Sequence, residues 1–133
     1  MLSIIPAFLI LFSSFLQDPS GIWISSAESE NIKYYFKSKY TSKVGSKITI
    51  WIKIENKVPK DLFEKKESYR LNLVECDCSD FSKKTKSSVA YTQSGEYIFG
   101  NDYKDPEIGY FPPGTVSYGN IEDVCTRFNK KKK

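Results

Sequence analysis

From Lys47 to Asn56 the chain reads Lys-Ile-Thr-Ile-Trp-Ile-Lys-Ile-Glu-Asn, and no other segment constrains the fold as tightly. Ile48, Ile50, Ile52 and Ile54 alternate with Thr49, Trp51, Lys53 and Glu55. This period of two puts β-branched residues on one face of a strand and polar or amphipathic ones on the other. Neighbouring segments extend the pattern. Ile32 to Lys37, with Tyr34, Tyr35 and Phe36, predicts the preceding strand, hairpin-paired across a turn at Gly45-Ser46. Ile22 to Ser25 predicts a short first strand. Tyr69 to Cys78 alternates Leu71, Leu73, Glu75 and Asp77 against Arg70, Asn72, Val74, Cys76 and Cys78, so Cys76 and Cys78 project from one face. Phe81 to Thr92 and Glu96 to Phe99 flank Gln93-Ser94-Gly95, whose glycine suits the left-handed position of a tight turn.

Two stretches break the pattern. Val58 to Ser68 begins with Pro59 and is densely charged, which predicts a solvated loop or a single exposed helical turn. Asn101 to Gly114 contains Pro106, Pro112, Pro113, Gly109 and Gly114, too many breakers for either regular element. Beyond it, Thr115 or Ser117 can cap a helix running to about Arg127, with Tyr118, Ile121, Val124 and Cys125 on one face. A chain of 133 residues allows one compact domain. The expected fold is therefore α+β: a single small domain, a twisted antiparallel sheet of about six strands with one packed C-terminal helix.

Charge and composition narrow the function. The formal charge is +4, but Lys130 to Lys133 account for it, so the remainder is near neutral and lacks the basic footprint of a nucleic-acid binder. The chain has no histidine, which removes the commonest general base, the Ser-His and Cys-His pairs and the commonest zinc ligand. Ile4 to Leu16 is an apolar run of signal-peptide length, short of the ~20 residues that a spanning helix needs. We assign residues 1–20 to a cleaved leader, with cleavage between Ser14 and Gly21, although no clean small-x-small site follows Leu16. A buried N-terminal helix or an uncleaved anchor is the alternative. The mature protein is then exported to the periplasm, the cell surface or the medium and does not span a membrane, and the basic tail 130–133 is expected to be disordered.

The three cysteines, Cys76, Cys78 and Cys125, all lie after position 75. In an oxidising compartment one pair can close, leaving one free thiol. Cys76, Cys78 and Cys125 could instead form a three-thiolate metal site, with Asp77 or Asp80 as fourth ligand, but strand alternation turns Asp77 away from Cys76 and Cys78. A redox-active Cys76/Cys78 pair lacks an obvious helix start to stabilise a thiolate. Asp102, Asp105 and Glu107 suggest calcium but fail the EF-hand pattern, and paired-carboxylate glycosidase chemistry would need a cleft that a small sheet seldom supplies. Lys33-Tyr34-Tyr35-Phe36-Lys37 interleaves bases and aromatics as single-strand nucleic-acid binders do, yet an amphipathic strand with wet lysines accounts for it more simply. Lys130 to Lys133 could touch anionic lipid or heparin-like polymers. Aromatic residues make up 15 % of the chain, more than one sheet face needs, so some Tyr or Trp should form an exposed patch suited to a protein partner.

A set of features spread along the chain resembles the surface-adhesin E family of small exported bacterial proteins. These are an early Trp23, the Tyr34-Tyr35 pair, the Ile48 to Ile54 strand with Trp51, Glu75-Cys76-Asp77-Cys78, Tyr91 before Gly95, Pro112-Pro113-Gly114-Thr115, and a helix ending Asp123-Val124-Cys125. The resemblance assigns residues 21–129 to one such domain. It implies an antiparallel sheet with a packed C-terminal helix, a disulfide between Cys78 and Cys125 with Cys76 left as a free thiol, dimerisation, and binding of host matrix and serum proteins. Such a bridge closes a loop of about 48 residues, worth roughly 4 kcal/mol in the chain-entropy model. No catalytic residues come with the resemblance. The expected function is that of an exported, non-catalytic module with no cofactor or metal, contacting a host or envelope protein through a face the sequence does not specify. The alternative is a periplasmic small-ligand-binding or structural domain with no adhesive role.

Overall fold

The computed structural model describes residues 21–129, so the expectations placed on the leader, its cleavage point and the terminal lysines lie outside the described residues. The elements are β1 (Trp23–Glu28), β2 (Ile32–Lys37), β3 (Ser42–Val44), β4 (Lys47–Leu62), β5 (Lys65–Asp77), β6 (Ser82–Tyr91), β7 (Tyr97–Asp102), β8 (Ile108–Tyr110) and α1 (Val116–Phe128). All eight strands form one antiparallel sheet in the order β1-β2-β4-β5-β6-β7, with β3 also on β4 and β8 also on β6. The count is eight where the sequence suggested about six. The reason is geometric: eight strands fill six positions. β2 pairs with Phe36 to Ile32 opposite Ile52 to Asn56, and β3 takes the remaining edge of β4 from Lys47 to Thr49. β7 and β8 divide the edge of β6 in the same way.

Three local expectations need correction. Val58 to Ser68 is neither loop nor helical turn, because β4 and β5 run on as a projecting hairpin with Lys60 opposite Glu67 and Leu62 opposite Lys65. The register shifts between Glu55 and Lys60, and Pro59 falls in that irregularity, where its missing N–H costs the ladder nothing. Second, β8 fits three residues into the proline-rich stretch, between Pro106 and Pro112. Third, Phe81 precedes β6 as a turn residue with φ of 56°; Tyr118 of α1 packs edge-on against its ring at 5.3 Å and holds it there. Likewise β2 and β4 are neighbours, but β3 lies between them in sequence.

The isoleucine face of β4 forms the core as its alternation requires. Ile48, Ile50 and Ile52 are fully buried with Val74 and Cys76 of β5, Tyr34 and Phe36 of β2, and Ile121 and Val124 of α1. Thr115 caps α1, its Oγ1 accepting from Tyr118 N at 3.3 Å. Gly119 lets the helix lie close to β1, since a Cβ there would stand 3.2 Å from Ala27 Cβ. Asn120, also fully buried, donates from Nδ2 to Ser26 Oγ at 3.2 Å. Phe128 closes the far end, edge-on to Phe36 and Tyr40. At the β5 terminus, Asp77 Oδ1 accepts from Ser46 Oγ, Ser79 N and Ser79 Oγ at 2.7, 3.0 and 2.7 Å, tying the β3–β4 turn to the β5–β6 turn.

Two predictions follow from these turns. Phe63 and Glu64 close the β4–β5 hairpin with φ of 51° and 64°, a pair of left-handed conformations that favours glycine at the second position. Glu64→Gly should raise stability by about 0.5–1 kcal/mol, read as a higher denaturation midpoint; a lower midpoint would contradict this turn geometry. The hydrogen bonds from Ser79 and Ser46 hold the Asp77 carboxyl below its ordinary value of 3.8. A depressed folded pKa stabilises the fold fully above the unfolded value, and that contribution disappears as pH falls through the folded one. Asp77→Ala should therefore cost about 1 kcal/mol at neutral pH, with the gap to wild type closing well below pH 3.8 in urea titrations.

Candidate interaction surface

The three cysteines occupy two different environments. Cys78 and Cys125 are joined by a disulfide with their Cα atoms 5.7 Å apart, linking the end of β5 to α1. Cys76 is a free thiol and fully buried. Burial pushes its pKa up to about 12, so at neutral pH it is a protonated core side chain and a poor nucleophile. Two sulfurs are thus committed to each other and the third is sealed in the core, so the arrangement assembles neither a three-thiolate site nor a Cys76/Cys78 redox pair. In the acidic loop, Asp102 accepts from Ser87 Oγ at 2.7 Å, while Asp105 and Glu107 are exposed. Among the described residues no group of three Asp, Glu or Cys side chains is placed to hold a metal ion.

Register decides what each face of the sheet presents. Within Lys33 to Lys37, Tyr34 and Phe36 turn into the core, and Lys33, Tyr35 and Lys37 turn to the opposite face. Among the described residues no helix covers that opposite face. One rung across it runs Lys33, Glu55, Tyr69, Tyr91 and Tyr97; the next runs Tyr35, Lys53, Leu71 and Val89. Lysine ammonium groups sit over tyrosine rings between the two rungs. Lys53 Nζ lies 5.3 Å from the ring centre of Tyr35 and 5.1 Å from that of Tyr69, and Lys33 Nζ lies 5.2 Å from Tyr35. Tyr69 and Tyr91 stack at 5.1 Å, and Lys37 sits 4.7 Å over Trp23 at the edge.

These contacts fix the side chains in place. Tyr35 Oη donates to Glu55 Oε1 at 2.8 Å, and that bond to the carboxylate raises its pKa to about 12. Burial raises that of Tyr69. Both phenols therefore stay neutral hydrogen-bonding groups in any physiological medium. Ordered aromatic rings and lysine stems lose little freedom when a partner covers them, which favours their use in protein recognition. The sequence signalled an excess of aromatics but could not pick out Tyr69, Tyr91 or Trp51, because membership of this face depends on cross-strand register. A concavity of about 650 Å³ lies between the β4–β5 overhang at Val58, Pro59 and Lys66 and the turn from Thr92 to Glu96. Its walls are bridged by Lys65 and Glu96 at 2.7 Å.

The burial of Cys76 makes a direct prediction. In the native, oxidised protein iodoacetamide should leave Cys76 unmodified at neutral pH, and labelling, followed by mass spectrometry, should track global unfolding. Rapid labelling of the folded protein would contradict this core placement.

Comparison with known proteins agrees with this architecture. The family described as Surface-adhesin protein E matches residues 23–126. Comparison with the curated proteins finds no match. Among solved structures, crystal form II of Haemophilus influenzae protein E is similar at a TM-score of 0.60 and 13 % identity, over 84 % of this chain and 91 % of that one. Another Haemophilus influenzae protein E structure gives a TM-score of 0.57 at 14 % identity, over 86 % and 90 % of the two chains. Protein E from non-typeable Haemophilus influenzae gives 0.51 at 10 % identity, over 84 % and 82 %. At such identities the structural likeness is one of fold, whereas the family match runs from the first strand nearly to the end of α1. This chain belongs to the surface-adhesin protein E family.

Proposed function

We propose that this protein is an exported, non-catalytic binding module that acts at the cell surface and engages a host matrix or serum protein through the open face of its sheet. Family membership supports the adhesin class. The observation that carries the choice of face is the placement of Lys53 between the rings of Tyr35 and Tyr69, with buried Tyr91 stacked behind Tyr69, on the side that α1 leaves open. Such a surface offers rigid amphipathic anchors at its centre, with Lys33 and Glu55 as polar neighbours, the usual anatomy of a protein-recognition patch. A non-catalytic role is in keeping with a chain that has no histidine and a free thiol buried in the core. Among the described residues no helix is long and apolar enough to cross a membrane.

Surface plasmon resonance on immobilised matrix and serum proteins tests this reading. The triple variant Tyr35→Ala, Lys53→Ala and Tyr69→Ala should keep its circular dichroism spectrum and lose affinity by about tenfold or more. Undiminished binding by the folded variant would exclude this face, and failure of the wild type to bind any of these proteins would count against adhesion.

A further inference from the structure

Lys83 lies on β6, directly opposite Cys76 of β5 on one side and Gly109 of β8 on the other. Pairing with Cys76 puts its side chain on the core face of the sheet, where it is only 9 % exposed. Its ammonium stands between two rings, 5.6 Å from the centre of Tyr34 and 5.2 Å from that of Phe111. Lys83 takes part in none of the ion pairs formed among the described residues. The neighbouring Cys76 thiol does not compensate it, since its pKa of about 12 keeps it neutral. Burial pushes the Lys83 pKa down, as desolvation does to an ammonium that lacks a counter-charge. Aromatic faces offset part of that cost, but a buried cation is ordinarily paired with an anion.

Lys83 also lines a cavity of about 380 Å³ between β6 and the segment leading to β8. Thr85, Tyr103 and Phe111 line it with Lys83, and Asp105 and Glu107 add exposed carboxylates to the lining. This volume is within the range of small-molecule sites. The Phe111 wall depends on a specific backbone position: a Cβ on Gly109 would come 3.0 Å from the Phe111 ring. A larger residue there would make the ring give way by a few tenths of an ångström. The cavity therefore has one positive charge without an ion pair among the described residues, carried by a side chain only 9 % exposed, together with an aromatic wall and two carboxylates open to solvent.

We propose that this cavity binds a small zwitterion of the amino-acid or dipeptide class, its carboxylate pairing with Lys83 and its ammonium with Asp105 and Glu107. The carboxylate supplies the counter-ion that the fold withholds from Lys83. The hydrocarbon between the charged ends lies along Phe111. A multiply charged anion such as phosphate is disfavoured, because Asp105 and Glu107 repel it from the same cavity. This site is on the core face of the sheet and independent of the open face proposed for protein recognition, so either can fail without the other.

Titration of the disulfide-intact protein with glycine, γ-aminobutyrate and ε-aminocaproate tests the proposal, with butyrate and butylamine as single-ended probes. Amide NMR shifts report the binding. At least one zwitterion should saturate with shifts concentrated at β6 and residues 103–111, and should bind about tenfold or more tightly than either single-ended probe. Lys83→Met should stay folded, since an apolar chain replaces an unpaired buried charge, and should lose binding by about tenfold or more. The double variant Asp105→Asn and Glu107→Gln alters exposed side chains only. It should weaken the zwitterion about three- to tenfold and leave butyrate unaffected. Absence of saturation by every zwitterion, or butyrate binding as tightly as the best of them, would overturn the proposal. So would full affinity in either variant; if Lys83→Met fails to fold, the double variant decides the matter.

Discussion

The contact between the isoleucine row of β4 and the apolar face of α1 organises the rest of the molecule. Ile48, Ile50 and Ile52 are sealed from solvent by Ile121 and Val124, and the Cys78–Cys125 bridge fixes the helix over them. A helix of 13 residues is about 20 Å long, whereas six strand positions spaced about 4.8 Å apart span more than that. α1 accordingly lies over β1, β2, β4 and β5 and leaves the core face of β6 to be closed by the chain around β8. That shortfall explains why a lysine can be buried at Lys83 with a cavity beside it: rings and a loop cover this end of the sheet where a helix covers the other.

Among the described residues a one-sided helix also leaves the opposite sheet face without a covering layer, and the sequence there differs in kind. Instead of isoleucine it carries Tyr35, Trp51, Lys53, Tyr69 and Leu73, side chains with large apolar bodies and, in several, a polar tip. Cation–ring contacts and the Tyr35–Glu55 hydrogen bond order them without removing them from solvent. The two faces thus divide the work. One holds the fold together, and the other is built from residues that tolerate water in the free protein and gain from being covered.

Periodicity made much of this legible. The β4 alternation, the β2 boundaries, a cap at Thr115 or Ser117 and the helix that follows could all be read from residue order, because each depends on neighbours within a few positions. The β4–β5 overhang could not. Its charges predict a loop when taken alone, yet the strands continue because Lys60, Asp61 and Leu62 pair with Glu67, Lys66 and Lys65 and because Phe63, in the turn, packs edge-on against Phe99 of β7 at 5.6 Å. Nor could β3 and β8, three-residue strands whose only reason to be extended is an unoccupied stretch of edge on β4 and β6. The rungs of the open face were equally hidden, since a shift of one residue between strands would have exchanged their members for those of the core.

What residue order determined by itself was local: which segments extend, where the helix begins, which residues can sit on one side of a strand, and that three cysteines leave one over. These follow from backbone sterics and side-chain period, which act over a few bonds. What only the tertiary structure decided was which strands lie side by side, and therefore which lysines meet rings, which thiol is sealed away and which lysine is folded inward between two rings. Those outcomes depend on contacts between residues tens of positions apart, and on how far a short helix can reach across a wide sheet.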